Sequence, residues 1–259
     1  MRGRKTMIQD KEENLLRNRI QELAIAADRR GIPYYTDFLN LNEQSILHSM
    51  ERQLGTVTIH EEGGYELAER KVFCFLANDA YCEADFPIVA VKIQVKNTKY
   101  CDQLTHRDYL GAAINLGIDR SKLGDIIVDF PTAYLFCKND IAEYIVTNLV
   151  KIKHTQVSCT IVQQREFIGN PKYEEIRKTV SSTRLDAMIA VAFQRSRSSL
   201  SGLITGEKVF VNGKMISSNS YAVKEGDIIS VRGYGKFRFQ EIQSQTKKGR
   251  TYVLLQKYI

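Results

Sequence analysis

The chain has 259 residues, 43% hydrophobic and 26% charged, which is enough apolar material for a sizeable core and more length than one domain usually takes. No apolar run approaches the roughly 18 to 20 residues that span a bilayer, and basic residues 1–5 lead into polar residues 9–14 instead of an apolar signal core, so a cytoplasmic protein without a membrane partner is expected. The formal charge of +7 is uneven: residues 182–259 carry 13 Lys and Arg against 5 Asp and Glu, net +8, and the first 181 residues carry 24 against 25, net −1.

Residues 7–30 read as an amphipathic helix, with Leu15, Leu16, Ile20, Leu23, Ala24 and Ala27 at helical spacing and Gly31 and Pro33 as the stop. A second helix is expected over residues 42–53. Short strands follow over 56–60 and 71–76, separated by a Gly63-Gly64 turn. From Phe86 the pattern changes. Val89, Val91, Ile93 and Val95 alternate with less apolar neighbours and predict a long strand. Thr105 then caps a helix through Tyr109, Leu110, Ala113, Ile114 and Leu116 that ends at Gly117. Strands over 125–130 and 132–137 flank Pro131, a helix covers 139–150, and a strand over 156–162 completes the order β-α-β-β-α-β.

That order is the ferredoxin-like layout of many RNA-recognition modules, of enzymes and of ligand-binding proteins. The aromatic run with which a standard RNA-recognition motif stacks bases is missing from this sequence. Tyr134 and Phe136 share one strand face, where core packing is the simpler expectation and base stacking the alternative. Residues 163–180 are polar, turn at Gly169-Asn170-Pro171 and read as a connector.

The basic excess falls on a segment with its own organisation, and clustered cations gain affinity for a polyanion by releasing the counterions of its phosphates. Thr183 and Asp186 make a capping-box-like start to a helix whose apolar face is Leu185, Met188, Ile189, Ala192 and Phe193. Ser196 or Ser198 caps a second helix with Leu200, Leu203 and Ile204 as its stripe and Gly206 as its end. The two helices meet at Arg195-Ser196-Arg197. Unpaired amides at a helix N-terminus and two guanidinium groups beside it make a compact phosphate site. Downstream, a strand over 208–211 turns at Asn212-Gly213, a type I′ hairpin signal; another strand covers 228–231, and Gly233 and Gly235 bend the chain before a strand at 236–239.

This ordered set, Arg-Leu-Asp, then Ser-Arg, then LITGEKVFVNGK, then EGDIISV, resembles the small RNA-binding domain named after the S-four ribosomal protein, over about residues 184–238. The resemblance implies that Arg184, Arg195, Arg197, Lys208 and Lys214 line a surface for structured RNA, with Ser196 and Asn212 at matching motif positions. Arg232, Lys236 and Arg238 add positive charge on the following turn and strand and complete the expected RNA-binding set.

Motifs that suggest catalysis have better structural explanations. His106-Arg107-Asp108 resembles a kinase catalytic loop, but position 113 is Ala where a metal-binding Asn belongs. Arg184-Leu185-Asp186 resembles a segment of pseudouridine synthases, but Thr183 precedes it and no separate catalytic domain repeats it. Asp79, Glu83 and Asp85 are explained by turn solvation, and His48, His60, His106 and His154 lack metal-site spacing. The five cysteines, Cys74, Cys82, Cys101, Cys137 and Cys159, include no C-x-x-C pair, so reduced thiols are expected. No catalytic residue, metal, cofactor or small-molecule substrate is predicted.

The whole arrangement, together with LTHRDYLGAAINLGIDRSKLGDI at residues 104–126, resembles the YlmH family. The expected fold class is α+β: an N-terminal helical block with a hairpin (1–85), a central ferredoxin-like domain (86–165), a connector (166–181) and a C-terminal S-four domain (182–259). The resemblance implies a non-catalytic role in ribosome-associated quality control, with large-subunit ribosomal RNA, peptidyl-tRNA and the large ribosomal subunit as partners. The alternatives are an RNA-modifying enzyme targeted by its S-four domain and a division-linked scaffold.

Overall fold

Ile20, Leu23, Ala24 and Ala27 are buried along one side of the first helix, α1 (Arg2–Arg30), with Leu16 half-buried beside them. Leu15, about 100° round the helix from Leu16, is instead 60% exposed. The structure, a computed structural model, describes residues 2–80, 83–162, 173–245 and 249–258. It divides the chain into two compact units, residues 1–170 and 171–259.

In the first unit, β1 (Tyr34–Tyr35), β2 (Val57–Glu62) and β3 (Val72–Ala77) form an antiparallel sheet in the order β1-β3-β2. Helix α2 (Leu41–Met50) starts at a capping box: the Asn40 side chain accepts from the amides of Asn42 and Glu43, while the Glu43 carboxylate accepts from Asn40 N–H. Leu47 and Met50 of α2 join α1 against Phe73 and Phe75. Every residue of β3 is buried, so its run is apolar without alternation.

The second sheet of this unit is built from β4 (Ile88–Val95), β5 (Leu123–Asp129), β6 (Thr132–Lys138), β7 (Lys151–Ile152) and β8 (Thr155–Val162), antiparallel in the order β5-β6-β4-β8-β7. With α3 (His106–Asn115) and α4 (Asn139–Asn148) this is the expected ferredoxin-like layout plus one short strand. Alternation sorts its side chains. Val91, Ile93, Val95, Ala133, Leu135 and Cys137 face the helices, against Tyr109, Ala113, Ala142 and Ile145. The opposite face carries Ile88, Ala90, Ile127 and Phe136, buried against Phe38 and Val72 of the N-terminal block.

Hydrogen bonds seal that joint. The Asp125 carboxylate accepts from Tyr65 Oη (2.9 Å) and from the amides of Glu69 (2.6 Å) and Arg70 (3.3 Å). The Arg70 guanidinium donates to the carbonyls of Phe38 (2.7 Å), Leu123 (2.8 Å) and Arg120 (3.2 Å). Burial, and then the neighbouring charge of Arg70, pull the Arg120 guanidinium down to about 10. A Cβ at Gly124 would stand 2.7 Å from the Phe38 ring, so only glycine lets the two layers meet there. The boundary expected at residues 85/86 therefore falls inside a single unit.

The second unit is one antiparallel sheet with two helices on one face. Its elements are β9 (Tyr173–Val180), α5 (Leu185–Ala192), α6 (Arg197–Thr205), β10 (Val209–Val211), β11 (Lys214–Met215), β12 (Ile228–Val231), β13 (Gly235–Gln245) and β14 (Thr251–Tyr258), with strand order β11-β10-β12-β13-β14-β9. Residues 173–180, part of the expected connector, are thus a strand paired along its whole length with β14. Only Ile176 and Val180 of β9 are buried. An edge strand solvated on one side can be highly charged, and that is why it read as a linker. The Gly169-Asn170-Pro171 turn lies outside the described residues.

Candidate nucleic-acid interface

Leu185, Met188, Ile189 and Ala192 bury α5 against the sheet, and Leu200 and Ile204 bury α6. Between the helices the chain reverses at Gln194, whose φ of +51° is left-handed, and Arg195 N–H closes back onto the Ala190 carbonyl at 3.0 Å. Ser196 is the cap of α6: its Oγ accepts from Ser199 N–H at 3.2 Å. Arg195 and Arg197 are exposed on either side of that cap. Arg197 donates to Ser181 Oγ at 3.1 Å, which tethers the guanidinium beside the positive end of α6.

Arg184 stands at the N-cap position of α5 without a side-chain cap bond, and its guanidinium pairs with the Asp186 carboxylate at 3.2 and 3.3 Å. Asp186 also accepts from Ala187 N–H at 2.9 Å, so the Arg-Leu-Asp segment is spent on starting a helix. Lys208 and Lys214 are exposed at the start of β10 and on β11. Asn212 and Gly213 form the expected turn with φ of +47° and +74°. Yet the Asn212 side chain faces inward: its Nδ2 donates to Asp227 Oδ1 at 2.8 Å and its Oδ1 accepts from Ile228 N–H at 2.9 Å.

The predicted residues therefore divide. Val209, Val211, Ile229, Val231, Phe237 and Phe239 face the helices, so by strand alternation Phe210, Lys236 and Arg238 face the other way. The Arg232 guanidinium lies 4.9 Å from the Phe210 ring centroid and the Lys236 ammonium 4.4 Å from that of Tyr258, so both sit on that second face. Arg184, Arg195 and Arg197 belong instead to the helix ends.

One candidate contact was missed from sequence. Tyr234, 44% exposed in the β12–β13 turn, meets Phe193 at the end of α5 edge-on, ring centroids 5.6 Å apart. An exposed aromatic ring is a platform for an unstacked base. The signal was present in Gly233-Tyr234-Gly235, an aromatic held in a glycine turn.

In the middle domain Phe136 is fully buried and stacks on Tyr65, centroids 5.1 Å apart and planes 26° apart, so packing is its role. Asp108 of the kinase-like triplet is equally committed. Its carboxylate accepts from the amide and hydroxyl of Thr105, both at 2.8 Å, and pairs with Lys153 at 2.8 Å; that ammonium, then the Thr105 donors, hold its pKa at about 2. Cys74, Cys137 and Cys159 are buried thiols, and burial raises Cys137 to about 12 and Cys159 to about 11; Cys82 lies outside the described residues. Among the described residues there is no group of potential metal ligands, and no helix is long and apolar enough to cross a membrane.

Residues 183–229 match the family described as "S4 domain", and residues 82–166 match the one described as "Putative RNA-binding domain in YlmH". With the fold above, these matches make the chain an S4-domain protein of the RNA-binding class. Over 227 residues it is 34% identical to ribosome-associated protein quality control protein P2 of Bacillus subtilis (strain 168), covering 86% of each chain. The chain belongs to the YlmH family. A solved structure of the cell division protein ylmH from Streptococcus pneumoniae shares the fold at a TM-score of 0.51 and 23% identity, over 61% of this chain and 95% of that one.

Proposed function

We propose that this protein acts in the cytoplasm on large ribosomal subunits that still hold peptidyl-tRNA, as a non-catalytic positioning factor in ribosome-associated quality control. The α5–α6 junction grips large-subunit ribosomal RNA and the adjacent tRNA. The observation that carries this reading is the junction itself: two exposed guanidinium groups flank a serine-capped helix N-terminus, an arrangement complementary to paired phosphates. Similarity to a relative named for ribosome-associated quality control supports the ribosomal address. A positioning role is supported by Asp108 and Asp186, whose carboxylates are both taken up by helix starts.

Co-sedimentation with isolated large subunits, over a range of salt, tests the reading. The double variant Arg195→Ala, Arg197→Ala is expected to lose about tenfold in affinity and to flatten the salt dependence by about two phosphate contacts. Undiminished binding would remove these arginines from the interface.

A further inference from the structure

Residues 104–126 do two separate jobs. From Arg120 to Asp125 they form the polar joint with the N-terminal block. The earlier part buries Leu104, Tyr109 and Ala113 but presents one exposed face of α3. Arg107, Gly111 and Asn115 recur every four residues and so share one face of α3. That face walls a groove of about 420 Å³ whose other side is Asn148, Lys151 and Lys153, from the end of α4 through β7.

Charge, shape and exclusion say what fits there. Arg107 and Lys151 are exposed, and neither forms an ion pair among the described residues. Asp108, the acid in the lining, is already neutralised by Lys153 at 2.8 Å. Gly111 lies in the interior of α3, where glycine destabilises a helix relative to alanine. A Cβ at Gly111 would meet nothing within 4 Å, so no neighbour inside this chain demands the small residue. The small residue leaves the wall of the groove open to the close approach of an external backbone. Finally, the sheet face with which RNA-recognition modules stack bases is covered at Phe136 by Tyr65, so that position is not available to a base.

We propose that the α3–α4 groove, with Arg107 and Lys151 on its rims and Gly111 in its wall, is a second RNA site that takes the phosphodiester backbone. This rests on the reading that the chain binds RNA. The test is filter binding of the full chain to radiolabelled large-subunit ribosomal RNA at several salt concentrations. Arg107→Ala with Lys151→Ala is expected to weaken binding about tenfold and to lower the salt slope by about two. Gly111→Gln is expected to keep or raise the unfolding midpoint, because it adds a good helix former at an open position, and still to weaken binding by filling the groove.

Wild-type affinity and slope in both variants would overturn the proposal. Loss confined to Lys92→Ala with Tyr134→Ala, half-exposed cross-strand partners on the Phe136 face, would also overturn it, by moving the contact to that face of the sheet. The Arg195→Ala, Arg197→Ala variant is measured alongside. Loss there with unaffected groove variants removes only the groove, whereas loss in the groove variants alone keeps the groove and removes the α5–α6 assignment.

Discussion

Asn212→Ala separates a clasp from a contact at a position where the motif alone suggests RNA. Asn212 holds a left-handed φ of +47°, donates to Asp227 and accepts from Ile228 N–H, while Asp227, 8% exposed, accepts from Lys224 N–H at 2.8 Å through its other oxygen. Alanine removes the amide–carboxylate bond, about 1.5 kcal/mol for a charged acceptor, and strands the Ile228 amide, about 1 kcal/mol more. It also puts a Cβ without side-chain compensation in the left-handed region, for about another 1 kcal/mol. The total is about 3.5 kcal/mol, which for a unit of this size lowers the melting midpoint by roughly 10 °C or more. Asn212→Gly recovers only the backbone part, so its midpoint should fall between those of alanine and wild type. Calorimetry, with amide exchange at Ile228 as the local readout, measures both. A shift below about 3 °C for the alanine variant would refute the clasp. An RNA affinity that collapses with an unmoved midpoint would instead make Asn212 a ligand of RNA.

Three further outcomes follow from the first unit. Asp125→Ala removes the acceptor of the Glu69 and Arg70 amides and of the Tyr65 hydroxyl and one of the two carboxylates, with Glu43, that offset the Arg70 and Arg120 charges, and is expected to cost about 3 kcal/mol in urea unfolding. Asp108 has its pKa lowered from 3.8 to about 2, first by Lys153 and then by Thr105. The unfolded chain binds the proton more readily, so this stabilisation is full above pH 3.8 and is lost as pH falls through about 2. The midpoint difference between wild type and Asp108→Asn should therefore be constant at neutral pH and close in that acid window. Cys137 and Cys159, buried and raised to about 12 and 11, should resist iodoacetamide in the native protein at pH 8 and react only on unfolding, as peptide mass mapping would show.

The α5–α6 junction was legible because its determinants are local: the apolar spacing of Leu185, Met188, Ile189 and Ala192, the cap at Ser196, and the Asn212-Gly213 turn each act within a few residues. Alternation in β4 and β6 was legible for the same reason, and with it the ferredoxin-like order. Strand β9 was not, because a charged edge strand carries almost no periodic apolar signal and its partner, β14, lies far along the chain. The inward turn of Asn212 also depends on Asp227, which the hairpin brings back beside it.

By itself, then, the sequence determined the helices and the strands with a regular apolar pattern, where the positive charge collects, and that the C-terminal segment has an RNA-binding layout, since periodicity, capping and charge are properties of neighbouring residues. Tertiary structure alone decided what each exposed or buried side chain is free to do. It placed Phe136 under Tyr65, sent Lys236 and Arg232 to a face away from Arg195 and Arg197, and left Arg107 and Lys151 facing an open groove. Alternation assigns a strand residue to one of two faces, but only packing between distant segments determines which face is covered.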